Sequence, residues 1–251
     1  MIIHSYETGL RADACIEYLR GCACTKSVEE IILLPIPSTR DKIMVLNTKV
    51  YIDDVLETLD EDVFVSGYGL PEGFIEDAKR KGAAVFDLAA DEDFLLDNAE
   101  LTALCALGIF LGSTKFAPKE LNVGIVGYGR IGKRLTNLFL YLGARVRVFS
   151  SREDTRLDLC EYGVATAAST ASADLGGLDL LINTAPAKIF DRALIPPKLR
   201  IIELASGDNF PGVEIEKYPS IPAKMFPMSA GRAWGRAIER FLINNPKGGH
   251  K

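Results

Sequence analysis

Three glycines near the middle of the chain have the spacing of a phosphate-binding turn. They are Gly127, Gly129 and Gly132, in the pattern Gly-x-Gly-x-x-Gly. In such a turn the first glycine permits the tight bend, the second lets the backbone approach a pyrophosphate, and the third lets a helix pack close to a strand. The pyrophosphate then lies on the free N–H groups and the positive dipole end of that helix. The spacing therefore predicts a dinucleotide site.

The residues around the glycines supply the context that such a site needs. An apolar run of strand type, 123–126, precedes the turn, and apolar residues at helical spacing follow it at 135, 138, 139 and 142. A strand, a glycine turn and a helix in this order form a Rossmann unit. Arg130 could reach the pyrophosphate or lie in solvent. We expect cofactor contacts from the whole turn, namely Gly127, Tyr128, Gly129, Arg130, Ile131 and Gly132.

The end of the next strand bears on which dinucleotide binds. A Rossmann unit that prefers NAD has an acidic residue about 20 positions past the glycines, where it binds the ribose hydroxyls. Here the strand ends in Ser150, Ser151 and Arg152, with no carboxylate before Glu153. Hydroxyls and a guanidinium suit a 2′-phosphate, so we expect NADP. Alternatively, Ser151 caps the following helix and Arg152 lies in solvent.

The loops after later strands predict further site residues. Ligands of open α/β sheets bind beyond the carboxyl ends of the strands. In the Rossmann half these positions are Asn183, Thr184, Ala185 and Pro186, then Leu204, Ala205 and Ser206. We expect the first six to contact the cofactor, with Thr184 and Ala185 bordering the nicotinamide. Ser206 is a candidate catalytic hydroxyl.

In the first half of the chain the same rule selects hydroxyls and one cation. Ser38, Arg40 and Ser66 are candidate substrate contacts, and Tyr68 is a candidate catalytic residue together with Asn98 of the helix that follows this half. The two histidines lie in the first strand and in the Gly-rich tail. Proton transfer is therefore expected through water or a hydroxyl such as Ser206 or Tyr68. The lack of an imidazole disfavours lactate-type dehydrogenase chemistry.

Strands that alternate with helices predict an α/β protein with parallel sheets. We expect a smaller N-terminal α/β domain of flavodoxin-like type over residues 1–95, with the C-terminal helix 229–243 packed on it. A linking helix and the NADP-binding Rossmann domain occupy residues 96–228. The linking helix, predicted over 93–112, is apolar on all sides and is expected to be buried between two layers. The closing helix, with Trp234, could serve as a dimer face as well as a core element.

Composition restricts the partners. The net charge of −5 gives no electrostatic reason to expect nucleic acid or an anionic membrane. The most apolar run, 101–112, is shorter than the roughly 18 residues of a membrane span. The N-terminal residues do not form a secretory signal, and the five cysteines are odd in number without paired spacing. A reducing compartment, the cytoplasm, is therefore expected.

Three of the cysteines lie close together in sequence. Cys15, Cys22 and Cys24 could be metal ligands, or they could be ordinary buried or surface thiols. No Cys-x-x-Cys pair or nearby histidine accompanies them, as a zinc site would usually require. We therefore expect no metal.

The order of the motifs resembles that of the A component of dipicolinate synthase. The resemblance extends from about Ile31 to Leu242. It implies an N-terminal Rossmann-like domain, an NADP-binding domain, and oxidation of a hydroxylated tetrahydrodipicolinate ring to the aromatic diacid, with a separate B component, in spore formers. It is carried by Ile-Leu-Leu-Pro-Ile-Pro-Ser-Thr at 32–39, Gly-Tyr-Gly-Arg-Ile-Gly at 127–132, Ile-Asn-Thr-Ala-Pro-Ala at 182–187, Glu-Leu-Ala-Ser at 203–206 and Ser-Ala-Gly-Arg at 229–232.

Departures from that family concern the substrate side. The first strand–helix unit looks reduced, the start of the long helix differs at 96–102, and Gly-Asp-Asn at 207–209 replaces an arginine and two glycines. A dicarboxylate needs cations, which Arg40, Lys224 or Arg232 could supply. The resemblance implies a small-molecule substrate and a B-type dipicolinate synthase partner, and we also expect a homo-oligomer. The alternative is a non-catalytic NADP-binding regulatory protein or sensor on the same fold.

Overall fold

The structure, a computed structural model, describes residues 1–170, 173–186, 190–207, 209–213 and 215–245, with the backbone alone at 26 and 27. Outside these residues lie Ala187 and Asp208, which belong to the sequence motifs named above. The Gly-rich end at 247–251 also lies outside them. The chain divides into two compact units, Met1–Asn98 with Pro222–Lys251, and Ala99–Ile221. The boundaries thus fall at 98/99 and 221/222, a few residues from the expected 95/96 and 228/229.

Strands and helices alternate along most of the chain. The first unit begins with β1 (Ile2–Ser5), α1 (Leu10–Gly21), β2 (Glu30–Leu33), α2 (Ile52–Glu57), β3 (Val63–Gly67), α3 (Glu72–Arg80), β4 (Ala84–Asp87) and the start of α4 (Glu92–Ser113). The second unit continues with β5 (Asn122–Val126), α5 (Arg130–Tyr141), β6 (Arg145–Ser150), α6 (Glu153–Glu161), β7 (Ala165–Ala168), β8 (Leu180–Asn183), β9 (Arg200–Glu203) and β10 (Glu216–Lys217). The chain ends with α7 (Ile221–Met225) and α8 (Pro227–Asn244).

The first sheet is parallel and has the strand order β1-β2-β3-β4. A flavodoxin-like sheet has the order 2-1-3-4-5. The observed order corresponds to that sheet without one edge strand, because the chain passes from α1 through the 3₁₀ helix Cys24–Ser27 directly into β2. β1 and the 12-residue α1 form the first strand–helix unit of this chain. The expectation that this unit is reduced relative to the resembled family stays a prediction.

Helix α8 packs against α1 in the first unit. Its Trp234 is fully buried, and the indole Nε1 donates a hydrogen bond of 3.2 Å to Ser66 Oγ. Gly231 lets the two helices approach, since a Cβ there would lie 2.2 Å from the carbonyl oxygen of Arg11. Trp234 is thus a core residue, as expected, and the dimer face on the closing helix stays a prediction.

The second sheet is also parallel and has the order β10-β9-β8-β5-β6-β7. Counted from β5, this order is 3-2-1-4-5-6, the doubly wound Rossmann arrangement. The central strands are almost wholly apolar because helices cover both faces of a parallel sheet. Their side chains form the core with Leu135 and Phe139 of α5. The predicted α/β fold class is confirmed.

Helix α4 is longer than the apolar run that marked it in the sequence. By length and composition alone, this 22-residue helix could cross a membrane, and 44% of its most apolar window is buried. Ala103, Ala106 and Phe110 belong to the core of the second unit, as is typical of a core helix. Leu104 and Leu111 are 37% and 42% exposed. The expectation that the helix is buried on all sides is therefore wrong.

We predict that Gly231→Ala destabilises the protein by about 1–3 kcal/mol, because the added methyl group overpacks the contact between α1 and α8. Gly73→Ala is the matched control, since a Cβ at this helical position meets nothing within 4 Å. It should leave stability unchanged or raise it by up to about 1 kcal/mol. Urea denaturation measures both. Equal effects of the two substitutions would contradict the tight helix contact.

Candidate dinucleotide-binding site

The glycine turn after β5 has two crowded positions and one open position. Gly127 has a positive φ of 87°, and a Cβ on it would lie 2.8 Å from Thr184 Oγ1. A Cβ on Gly132 would lie 2.1 Å from the carbonyl oxygen of Gly127. A Cβ on Gly129 would meet nothing within 4 Å. The fold itself requires the first and third glycines, whereas the second faces free space where a phosphate could approach.

The N-terminus of α5 is suited to bind an anion. Gly129 is its N-cap residue, and no side chain caps the helix. The first-turn N–H groups of a helix have no intrahelical acceptor, and they attract negative charge together with the helix dipole. No acidic residue occupies this turn, and Arg130 lies exposed on it. These residues fit the pyrophosphate of a dinucleotide.

A cavity of about 770 Å³ opens beside the glycine turn. This volume is in the range of small-molecule sites, roughly 300–1,000 Å³. Seven of the residues predicted from the sequence line this cavity. Several other residues that were not predicted line it too. The predicted ones are Gly127, Tyr128, Gly129, Ser150, Ser151, Arg152 and Ala185, and the additional ones include Lys133, Asp154, Thr155, Asp158, Tyr162 and Ser169.

Lys133 adds a cation to the glycine turn. Its Nζ lies 5.6 Å from the centre of the Tyr128 ring, within the range of a cation–π contact. The sequence could have indicated this residue, because Lys133 directly follows the last glycine of the motif, one turn into α5.

At the end of β6, where the sequence was expected to select NADP, Arg152 forms an ion pair with Asp154. Arg152 donates to both carboxylate oxygens of Asp154, through Nε at 3.2 Å and Nη2 at 2.6 Å. The guanidinium lowers the pKa of Asp154 to about 2. The strand end itself has no carboxylate before Glu153, as noted from the sequence, but Asp154 in the first turn of α6 reaches back to Arg152.

Ser150 and Ser151 differ in their availability. Ser150 is buried, and its Oγ accepts the backbone N–H of Arg152 at 3.2 Å. Ser151 is exposed and lines the cavity. Residue 152 is the N-cap of α6, without a side-chain hydrogen bond, so the alternative that Ser151 caps this helix is wrong.

Asn183 holds the neighbouring loop in place instead of lining the cavity. It is 1% exposed, and its Nδ2 donates to the carbonyl oxygen of Ala185 at 3.0 Å. Its Oδ1 accepts the backbone N–H of Ala185 at 3.2 Å. Thr184 Oγ1 donates to the carbonyl oxygen of Val126 at 2.7 Å, which ties the loop to β5. Both side chains position Ala185 and Pro186 at the end of β8.

Glu203 is a buried carboxylate that was not expected to have a role from the sequence. It is 2% exposed and accepts hydrogen bonds from Asn183, Asn209 and the backbone N–H of Ala205. Burial raises its pKa. Through these bonds Glu203 fixes the loop that contains Leu204 and Ala205, both half-buried. The sequence could have indicated Glu203, because it is an acidic residue at the end of an apolar strand.

Two predicted substrate residues of the first unit belong to its interior. Ser38 is fully buried, donates to the carbonyl oxygen of Pro35 at 3.0 Å and accepts the N–H of Tyr68 at 2.7 Å. Ser66 is fully buried and accepts from Trp234. The prediction that these hydroxyls contact substrate is wrong, because both already stabilise the fold.

The other predicted residues stay accessible. Arg40, Lys224 and Ser206 are exposed, and Asn98 is half-buried on α4. Tyr68 is half-buried, with its ring centre 6.4 Å from that of Phe94. Their roles remain predictions.

A buried ion pair at the start of α1 has no counterpart among the residues predicted from the sequence. Arg11 is 8% exposed, and its Nη2 donates to Glu7 Oε2 at 2.7 Å and to the carbonyl oxygen of Ile36 at 3.1 Å. The Ile36 N–H in turn donates to Glu7 at 3.2 Å. The pair therefore holds the loop after β2 at the carboxyl end of the first sheet.

No protein-family model matches the chain. Among curated proteins, the A component of dipicolinate synthase from Bacillus subtilis (strain 168) is 24% identical over 190 residues. The match covers 69% of this chain and 63% of the relative, which is less than two thirds of its length. The resemblance predicted from the motifs is confirmed in sequence.

Solved structures show the same fold. The A component of dipicolinate synthase from Bacillus halodurans aligns with a TM-score of 0.76 at 22% identity, over 96% of this chain and 97% of that one. Its counterpart from Bacillus subtilis aligns with a TM-score of 0.76 at 18% identity, over 97% and 95%. An L-alanine dehydrogenase aligns at 0.59 and 14% identity, over 99% and 91%. The chain therefore has the fold of these proteins, with a doubly wound Rossmann sheet in its second unit.

We predict that Gly129→Ala and Gly132→Ala act differently. The first should change the free energy of unfolding by less than about 0.5 kcal/mol. It should weaken dinucleotide binding at least about tenfold, because the methyl group enters the phosphate space. Gly132→Ala should weaken dinucleotide binding too, but unlike Gly129→Ala it should also destabilise the protein by about 1–3 kcal/mol. Urea denaturation and calorimetric titration measure the two effects. Unchanged affinity in Gly129→Ala would contradict the proposed phosphate position.

We predict that Glu203→Gln destabilises the protein by about 1–3 kcal/mol, because its amide N–H₂ would face donors that now bind a carboxylate. The difference from wild type should depend on pH. A raised pKa means that the folded state binds the Glu203 proton more tightly than the unfolded chain does. The stability advantage of wild type is therefore greatest below about 4.5, the ordinary pKa, and decreases as pH rises through the folded-state pKa. Denaturation curves across this range measure it, and an advantage that grows with pH would contradict the assignment.

Proposed function

We propose that the protein is an NADP-dependent oxidoreductase of the dipicolinate synthase A type. The observation that carries this proposal is the uncapped α5 N-terminus at Gly129, which faces open space beside a cavity of about 770 Å³. The similarity in sequence and fold to the A component of dipicolinate synthase supports the reaction class.

The charges at the end of β6 support NADP as the dinucleotide. Arg152 and Asp154 have side chains that are 74% and 61% exposed, and exposed ion pairs of this kind are weak. A 2′-phosphate carries more charge than a carboxylate and accepts the same bidentate guanidinium bonds. It can therefore replace Asp154 on Arg152. Ser151 and Thr155 line the same part of the cavity and offer hydroxyl donors.

The proposed substrate is a cyclic dicarboxylate resembling hydroxy-tetrahydrodipicolinate. Its conversion to the aromatic diacid requires the loss of one water and two hydrogens, one transferred as a hydride to NADP⁺ and the other released as a proton. When bound, NADP⁺ supplies the hydride acceptor. The enzyme would contribute mainly the orientation of the two reactants.

The residues of the chain would bind the substrate and accept its proton. Arg40 and Lys224 are exposed cations that can pair with carboxylates. His4 lies on the edge strand β1, and His250 lies outside the described residues. A hydroxyl of Ser206 or Tyr68, or a water, would therefore relay the proton to solvent, with Asn98 as a further polar group.

The alternative is a non-catalytic NADP-binding regulatory protein or sensor. It is favoured by the burial of Ser38 and Ser66, because these hydroxyls are bonded within the fold and leave fewer polar groups for a substrate. Fold alone does not fix function, so a preserved cofactor site is compatible with lost turnover.

We also propose a cytoplasmic location, self-association and a B-type dipicolinate synthase partner. The net charge of −5 provides no attraction to nucleic acid or anionic membranes. Analytical ultracentrifugation of the chain, alone and with a B-type partner, tests the last two. A single monomeric species in both samples would contradict them.

We predict that Arg152→Ala weakens NADP binding by roughly ten- to a hundredfold, the loss expected for charge-assisted hydrogen bonds, and leaves NAD binding nearly unchanged. Asp154→Asn should strengthen NADP binding, because the guanidinium is no longer shared with a carboxylate. Arg20→Ala, an exposed arginine on α1, is the control. Calorimetric titration with both dinucleotides measures the ratio. Equal losses for NAD and NADP in Arg152→Ala would contradict the 2′-phosphate contact.

The activity test uses the purified chain, alone and with a B-type partner, incubated with NADP⁺ and hydroxy-tetrahydrodipicolinate. We expect the absorbance of reduced nicotinamide to increase with the appearance of dipicolinate. Ser206→Ala and Tyr68→Phe identify the proton acceptor. Tight NADP binding without turnover would overturn the enzyme proposal and support the sensor. Absence of dinucleotide binding would overturn both.

A further inference from the structure

Two cysteines at the end of α1 lie next to a glutamate of α8. Cys22 is the C-cap residue of α1, Cys24 begins the following 3₁₀ helix, and Glu239 lies on α8. The two Sγ atoms and a carboxylate oxygen are all within 4.8 Å of one another, and the three residues are half-buried. Three potential ligands of different types therefore converge within the first unit.

The arrangement depends on close packing between α1 and α8. A Cβ on Gly235 would lie 2.6 Å from the Tyr18 ring, so only glycine lets this ring pack so closely against α8. The Tyr18 hydroxyl donates to Glu239 Oε2 at 2.6 Å. Cys22 Sγ donates to the carbonyl oxygen of Tyr18 at 3.3 Å. The carboxylate and the first thiol are thus oriented by the same tyrosine.

The group beside the two thiols is an acid. Reactive or redox-active thiols lie in positive surroundings. Here an oxygen of the Glu239 carboxylate lies within 4.8 Å of both sulfurs, and all three residues are half-buried. A negative charge at this position disfavours a nucleophilic thiolate, but it favours a bound cation.

We propose that Cys22, Cys24 and Glu239 form a binding site for a divalent, borderline-soft cation such as Zn²⁺. Thiolates and a carboxylate are ligands that Zn²⁺ takes, with water in the fourth tetrahedral position. A Zn–S distance of about 2.3 Å places two sulfurs about 3.8 Å apart. The three ligand atoms already lie within 4.8 Å of one another, so small side-chain rotations can complete the geometry. Two thiol protons leave to solvent as the two S–Zn bonds form.

Tyr18 acts in this site as a positioning residue. Its hydrogen bond to Glu239 corresponds to the outer-shell bonds that orient metal-binding carboxylates. The ion connects the end of α1 to α8 and therefore stabilises the first unit, since a ligand that binds only the folded state raises its stability. None of these residues lines the dinucleotide cavity, so the site is independent of the proposed reaction.

The test is titration of the full, reduced, tag-free chain with Zn²⁺ and with Co²⁺, whose thiolate complexes absorb by charge transfer. We expect one ion per chain, the thiolate–cobalt absorption band, and a higher melting temperature with Zn²⁺. Cys22→Ser and Cys24→Ser should each lower affinity at least about a hundredfold, and Glu239→Gln and Tyr18→Phe about ten- to a hundredfold.

Cys160→Ser is the matched control, because Cys160 is exposed and contacts Thr166 in the second unit. It should bind the ion like wild type. Circular dichroism confirms that each variant is folded, and Tyr18→Phe keeps both thiols if a cysteine variant does not fold. Substoichiometric binding, a cobalt spectrum without the thiolate band, or affinity unchanged by Cys24→Ser and Glu239→Gln would overturn the proposal. So would a reduced protein that binds no ion but forms a Cys22–Cys24 disulfide on oxidation.

Discussion

The contact between Gly132 and the carbonyl of Gly127 determines the geometry of the glycine turn and of the candidate site beside it. Because a Cβ at position 132 would lie 2.1 Å from that oxygen, only glycine lets α5 begin so close to β5. This approach directs the first turn of α5 toward the space in front of Gly129. Thr184 closes the other side of the turn and is bonded to β5. The cavity, the N-terminus of α5 and the loop after β8 all depend on this close packing.

The two ends of the site are held by different forces. Beyond β8 and β9, a buried network joins Asn183, Glu203 and Asn209, and burial makes each lost bond costly. Beyond β6, an exposed pair of Arg152 and Asp154 can exchange partners with little loss. In the proposed enzyme, the rigid end would border the nicotinamide and the adaptable end would admit the charged ribose.

Much of the fold could be predicted from the sequence because apolar runs and helical spacing are local signals. β5, its glycine turn and α5 are examples, as are the buried β2 and β3. The two-residue β10 could not be predicted, since only pairing with β9 defines it. The roles of Ser38 and Ser66 also depend on distant partners, Tyr68 and Trp234. Likewise, no spacing rule places Glu239 beside Cys22 and Cys24.

The most direct measurement is a crystal structure of the chain with NADP⁺. We expect pyrophosphate oxygens to accept hydrogen bonds from the first-turn amides of α5, in front of Gly129. We also expect the 2′-phosphate to lie against Ser151 and Arg152, with Arg152 released from Asp154. A nucleotide bound elsewhere, or one whose pyrophosphate does not contact the glycine turn, would contradict the central claim.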